Sequence, residues 1–166
     1  VGVEKILSEE NPDIILVQGD TNTVFASAVA AVKLHIRVGH VEAGLRSYDR
    51  RMPEEINRIL TDHCSDYLFA PTKQGMDNLI SEGIPRDKIS ITGNTIVDAV
   101  YQNLEIADSA GDSLKALKLS PKSYFLVTLH RQENVDDHLR FARILEALDN
   151  LYPAFRFPVI YPVHPR

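Results

Sequence analysis

Three ionisable side chains follow short apolar runs, where a parallel α/β sheet would present them to a ligand. Asp20 follows Ile14 to Gln18, Glu42 follows Ile36 to Val41, and His130 follows Tyr124 to Thr128. Ligands of open parallel sheets bind outside the carboxyl ends of the strands, so an acid or imidazole on such a turn is placed to exchange protons with what sits there. One such turn says little, because Asp and Gly favour turns for backbone reasons alone. Gly19-Asp20-Thr21, Glu42-Ala43-Gly44 and His130-Arg131-Gln132-Glu133 together are a stronger signal, still short of naming a reaction.

Other candidates carry plain structural explanations. Met52-Pro53-Glu54-Glu55 is what a helix start prefers, with proline at the first position and acids facing the positive end of the dipole. Arg58 lies one turn after Glu54, in the order of an ordinary surface ion pair. Arg46, Arg50 and Arg51 lie in the loop before that helix, where they are either solvated or meet an anionic ligand. Among the histidines, His35 and His138 read as surface positions, His63 as packed on an apolar helix face, and His40 as a half-buried strand residue. His130 and His164 both close apolar strands. The sequence contains no His-Glu-x-x-His, no Walker loop, no Gly-x-Gly-x-x-Gly and no Gly-x-Ser-x-Gly. Kinase, dehydrogenase and serine-hydrolase chemistry lose most of their support.

The elements that must position these residues alternate between β-branched runs and helical spacing, the pattern of βαβ units. Strands are predicted at Ile14 to Gln18, Ile36 to Val41, Tyr67 to Ala70, Ile89 to Thr92, Tyr124 to Thr128 and Pro158 to about Val163. Between them, an Ala-rich helix runs to about Leu34. Ile56, Ile59, Leu60 and His63 mark one face of the helix that Pro53 opens. Further helices carry Met76, Leu79 and Ile80; Val97, Val100, Tyr101 and Leu104; and Phe141, Ile144, Leu145 and Leu148. From Ala107 to Lys122 the pattern weakens, so the expected organisation is one domain over 1–106, a linker over 107–122 and the start of a second domain at 123–166. The chain begins at Val1 and stops just after a strand, which reads as a piece of something larger.

Composition sets the class. The chain has 166 residues, 44% hydrophobic and 25% charged, and its 23 acids and 18 bases give a net charge of −5. Disorder is excluded by that composition. A mildly acidic chain is a poor partner for phosphate-rich surfaces, so neither nucleic acid nor a membrane surface is expected. No uncharged apolar run is long enough to span a bilayer, and Val1 to Glu10 lacks a signal-peptide core. Cys64 is the single cysteine, so neither an internal disulfide nor a cysteine-based zinc site is available. A cytoplasmic location is the expectation.

Six blocks, in order, give the chain a family likeness. Val17-Gln18-Gly19-Asp20-Thr21, Gly39-His40-Val41-Glu42-Ala43-Gly44-Leu45-Arg46-Ser47 and Pro53-Glu54-Glu55-Ile56-Asn57-Arg58 come first. Thr92-Gly93-Asn94-Thr95, Thr128-Leu129-His130-Arg131-Gln132-Glu133-Asn134 and Pro162-Val163-His164-Pro165 follow. Together they resemble the non-hydrolysing UDP-N-acetylglucosamine 2-epimerases. The resemblance implies an α/β fold of the glycosyltransferase-B type, two Rossmann-like, doubly wound parallel-sheet domains with the site in the cleft between them, here incomplete at both ends. It implies interconversion of UDP-N-acetylglucosamine and UDP-N-acetylmannosamine with no metal and no other cofactor. By the same likeness, Asp20, Glu42, Glu54 and His130 are the catalytic candidates, and Arg58 and His164 bind the UDP-sugar. Arg46 and Glu133 support that binding. A cytoplasmic homodimer, with the substrate also acting as activator, is implied as well.

The chemistry explains why such a reaction wants this set. The sugar's C-2 proton has no carbonyl beside it and is barely acidic. In the family route UDP is eliminated to give 2-acetamidoglucal, then returns as a proton is delivered to the opposite face. Positive charge growing at C-1 acidifies the C-2 proton, which a carboxylate then takes, and carboxylates also steady oxocarbenium character. Cationic and hydrogen-bonding groups must hold the departing UDP so that it can return. The family's Gly-x-Arg-Pro-Glu-like block and its Gly-rich nucleotide block do not occur in this stretch, which implies that the isolated segment has little activity. Competing expectations are the diacetamido uronic acid 2-epimerase, a hydrolysing epimerase or glycosyltransferase on the same architecture, and a non-catalytic nucleotide-sugar-binding module.

Overall fold

The computed structural model describes residues 2–110 and 113–163. Two compact units meet in sequence at Leu104 and Glu105. The first contains α1 (Gly2–Glu10), β1 (Ile14–Gln18), α2 (Asn22–Lys33), β2 (Arg37–Val41), α3 (Pro53–Cys64), β3 (Tyr67–Ala70), α4 (Lys73–Ser81), β4 (Ile89–Ile91) and most of α5 (Thr95–Ala110). The four strands form one sheet in the order β1-β2-β3-β4, every pair parallel. Strand positions follow the apolar runs closely. The sequence reading assigned no element to Gly2–Glu10. Leu7, buried, and Val3 pin α1 to the core, and left-handed Asn11, followed by Pro12, ends it.

The register puts Val17, His40, Leu68 and Ile89 side by side on one face of the sheet. All of them are buried, with Val17 and Val38 in a cluster with Leu7, Ala28, Ala31 and Ile36. Leu68 and Ile89 join Ala43, Ala70, Leu79 and Ile84 in a second cluster. Leu16, Gly39 and Tyr67 line up on the opposite face, which is more open: Leu16 is 66% exposed. Side-chain hydroxyls open the helices on the covered face. Thr21 Oγ1 accepts from Val24 N–H and Thr72 Oγ1 from Gly75 N–H, satisfying amides that the helix itself cannot.

Gly44 has no room for a side chain. With φ at +78° it sits in the left-handed region, and a Cβ there would stand 2.2 Å from the Gly75 carbonyl oxygen of α4. The obstacle is backbone, which no rotamer change relieves. Gly44→Ala is expected to lower stability by roughly 2–4 kcal/mol, combining overpacking with the left-handed strain. Urea unfolding of the complete protein checks it, and a midpoint like wild type would mean that α4 shifts freely.

The second unit contains α6 (Ser113–Ala116), β5 (Phe125–Leu126), α7 (Gln132–Val135), α8 (His138–Asp149), α9 (Leu151–Phe155) and β6 (Val159–Ile160). β5 and β6 are parallel neighbours, as expected for a βαβ unit. Phe125 packs edge-on against Phe155, with ring centres 5.5 Å apart. Asp137 caps α8 by accepting from the Arg140 and Leu139 N–H groups, which hold its carboxyl below the usual range. The stretch expected to be a linker is partly helical. α5 continues to Ala110 and α6 covers Ser113–Ala116, because alanines at 107, 110 and 116 favour helix even where the apolar stripe has faded.

Candidate active site

The carboxyl ends of β1 and β2 are tied together by their own backbone. Gly19, at φ +80°, donates its N–H to the Val41 carbonyl at 3.1 Å. Glu42 and Ala43 both donate to the Phe69 carbonyl at the end of β3, each at 3.1 Å. Glu42 adopts φ +74°, a left-handed conformation uncommon for a residue with a side chain. Its carboxylate leans over the neighbouring turn, with Oε2 3.8 Å from the place a Cβ on Gly19 would occupy. Asp20 and Glu42 therefore stand on adjacent turns, with a side-chain-free residue between them.

Helix α3 fastens the Asp20 turn. Asn57 Nδ2 donates to the Asp20 carbonyl and to Asn22 Oδ1, each at 2.9 Å. The Arg58 guanidinium pairs with the Asp20 carboxylate and, at 3.4 Å, with Glu55 Oε2. The surface pair expected between Glu54 and Arg58 does not form, because Arg58 is drawn inward to these two acids. Glu54 lies exposed on the first turn of the same helix. Gln18 Nε2 donates to Thr95 Oγ1 at 3.1 Å, joining the end of β1 to the start of α5.

The larger correction concerns which face of α3 is buried. Its apolar spacing predicts Ile56, Ile59, Leu60 and His63 on the inside. Instead Glu55, Asn57, Thr61 and Asp62 are buried, Leu60 is 40% exposed, and His63 is exposed beside Glu82. The polar face turns inward because loop amides and strand-end carbonyls need partners there. Glu55 accepts from Ser47 N–H at 2.8 Å, Ser47 Oγ at 2.9 Å and Tyr48 N–H at 2.9 Å. Burial pushes the Glu55 carboxyl up, but these donors and the nearby Arg46 outweigh it and hold it below the usual glutamate range.

Asp62 sits at the centre of a second buried network. Its Oδ1 lies 2.6 Å from His40 Nδ1, and its Oδ2 accepts from Gly44 N–H at 3.2 Å and pairs with Arg46 Nη2 at 2.8 Å. Arg46 also forks onto Glu82, Nε to Oε1 at 2.7 Å and Nη2 to Oε2 at 2.6 Å. Burial works against the Arg46 charge, yet Glu82 and Asp62 offset it and raise its pKa further. The Arg46 side chain is 1% exposed. It was expected to support substrate binding; the structure shows its guanidinium engaged by two carboxylates, Asp62 and Glu82. His40, expected to be half-buried, is fully buried.

Unit one thus brings together Asp20, Glu42 and Arg58, and it carries Glu54 exposed at the start of α3. His130 and Glu133 belong to unit two. His130 follows β5, its Nδ1 3.5 Å from Thr128 Oγ1, and Glu133 lies 4.0 Å from Arg131 on an exposed stretch. His164 lies outside the described residues. The sequence reading missed Glu55, Asn57, Asp62 and Glu82. For α3 a signal was present: Glu55, Arg58 and Asp62 recur at i, i+3 and i+7, an ionisable stripe beside the apolar one.

Comparison with known proteins bears on this arrangement. A sequence model described as UDP-N-acetylglucosamine 2-epimerase matches residues 1–166. A UDP-N-acetylglucosamine 2-epimerase of Methanococcus maripaludis is 52% identical over 166 residues, which is 99% of this chain and 45% of that protein. A UDP-2,3-diacetamido-2,3-dideoxy-D-glucuronate 2-epimerase of Pseudomonas aeruginosa is 45% identical, over 99% of this chain and 45% of that protein. The crystal structure of a Methanocaldococcus jannaschii UDP-GlcNAc 2-epimerase in complex with UDP-GlcNAc and UDP superposes with a TM-score of 0.88 at 52% identity, covering 99% of this chain and 46% of that one. The chain spans about half the length of the curated relatives it matches. The fold class is the expected one, α/β with parallel sheets of the glycosyltransferase-B type.

Proposed function

Because the chain belongs to the UDP-N-acetylglucosamine 2-epimerase family, we propose that the complete protein interconverts UDP-N-acetylglucosamine and UDP-N-acetylmannosamine. The observation that carries this reading is the pairing of Asp20 and Glu42 on adjacent strand-end turns, with Arg58 against Asp20. Epimerisation at C-2 needs proton transfer on both faces of one carbon, and a set of acids around one pocket suits that demand. UDP leaves as the C-1–oxygen bond breaks and a carboxylate takes the C-2 proton, giving 2-acetamidoglucal. UDP then adds back at C-1 while an acid protonates C-2 from the other face.

In this reading Asp20, Glu42, Glu54 and His130 form the proton-transfer and charge-stabilising set. Arg58, Glu133 and His164 hold the UDP-sugar. Arg46 takes no part in contacting it and instead anchors the loop after β2 through Asp62 and Glu82. By the same family likeness we place the complete protein in the cytoplasm as a homodimer.

The test is a proton NMR time course of UDP-N-acetylglucosamine in D2O with the complete protein. UDP-N-acetylmannosamine carrying deuterium at C-2, with little free sugar, is the expected result. Free N-acetylmannosamine and UDP would assign the hydrolysing branch and overturn the proposal. The Pseudomonas aeruginosa relative favours one second reading, a diacetamido uronic acid as the sugar. An unchanged spectrum with UDP-N-acetylglucosamine, and turnover of that uronic acid, would establish it instead.

A further inference from the structure

His40 occupies an unusual place for a strand residue. It lies in the middle of β2 with no exposed surface, where its sheet neighbours Val17 and Leu68 are aliphatic. A valine or leucine would fill that volume without burying a polar ring. What the imidazole adds is two hydrogen bonds in opposite directions. Nε2 lies 2.9 Å from the Gly19 carbonyl oxygen, and Nδ1 lies 2.6 Å from Asp62 Oδ1. A carbonyl oxygen can only accept, so Nε2 carries a hydrogen and donates. The other oxygen of Asp62 takes Gly44 N–H and Arg46, so the carboxylate bridges Nδ1 to the loop after β2. His40, Asp62, Arg46 and Glu82 form one connected row, in which each buried polar group has a partner.

Its two ends are the point. The Nε2 bond holds the Gly19 carbonyl, one residue before Asp20. On the other side, Asp62 holds the Gly44 amide, two residues after Glu42. One buried ring thereby links, at a fixed spacing, the two turns that carry the proposed acids. We infer that His40 is a positioning residue for the proton-transfer site, acting on Asp20 through the Gly19 carbonyl. The inference rests on the epimerase reading and on Asp20 belonging to its acids. A misplacement near 1 Å at a reacting group can cost about 10²-fold in rate, so a residue that touches no substrate can still govern turnover.

Two amide substitutions separate this role from simple packing. In His40→Gln the amide nitrogen reaches about where Nε2 stands and can still donate to Gly19. In His40→Asn it falls near Nδ1, serving Asp62 and leaving Gly19 without its donor. Both variants of the complete protein are compared with wild type for kcat and KM of C-2 proton exchange in D2O, with circular dichroism and thermal unfolding measured in parallel. His40→Asn is expected to lose roughly 10–100-fold in kcat, with KM within about threefold, and His40→Gln to stay within about fivefold of wild type in kcat. Equal losses in the two variants, a loss that tracks the folded fraction, or full activity of His40→Asn would each overturn the positioning role. Wild type that leaves the C-2 proton in place overturns the functional reading itself, and the role with it. Wild type that exchanges the proton while His40→Asn matches it overturns the role alone.

Discussion

Glu42→Gln in the complete protein is expected to lower the rate of C-2 proton exchange by about 10²–10⁴-fold, the range associated with removing one positioned acid or base. The residue suits this test. Its backbone conformation, φ +74° with the N–H bonded to Phe69, does not depend on the carboxylate. Among the described residues no hydrogen bond or ion pair engages that carboxylate. Glutamine keeps the shape that leans over Gly19 and removes only the capacity to take or give a proton. KM is therefore expected within a few-fold of wild type and the thermal midpoint nearly unchanged, as for substitutions that break no buried contact. Asp20→Asn is a less clean probe, since it also releases Arg58. An exchange rate in Glu42→Gln equal to wild type would remove Glu42 from the chemistry. A matching fall in thermal midpoint would make its role architectural.

The strand ends that carry these acids were readable in the sequence. Buried parallel strands are short and apolar, so Tyr67 to Ala70 and Ile14 to Gln18 were recognisable and coincide with β3 and β1. The residue after each run was then an obvious place to look for chemistry. Helix α3 was placed correctly but turned the wrong way. Periodicity counts apolar side chains and assumes that they seek an apolar surface. Here the facing surface is a set of loop amides and strand-end carbonyls, those of Ser47, Tyr48, Gly44 and Asp20, and hydrogen-bonding side chains satisfy it better. In the same arrangement His63 faces outward, His40 is fully buried and Arg46 is engaged by Asp62 and Glu82. The pairing of Arg58 with Asp20, 38 residues apart, had no local signal at all.

The buried row gives the second large effect. Asp62→Ala takes the carboxylate from His40 and from Arg46 together, while Glu82 still binds Arg46 from the other side. Breaking a buried pair by removing one partner costs about 3–5 kcal/mol, because the remaining charge stays in a medium that cannot solvate it. For a domain of this size that is a fall of roughly 10 °C in thermal midpoint. Glu82→Ala offers the contrast. The Glu82 side chain is 27% exposed, and its loss leaves Arg46 paired with Asp62 and open to water from the vacated side. A cost of about 1 kcal/mol is expected there, near the range of solvent-accessible pairs. Thermal unfolding of the two variants of the complete protein separates these cases. Equal losses would mean that Arg46 alone holds the loop. A loss confined to Asp62→Ala would identify Asp62 as the junction on which the two acid-bearing turns depend. Asp62 would then be needed for activity as well as for stability, because without it Gly44 loses its anchor and His40 loses the partner that keeps its ring on Gly19.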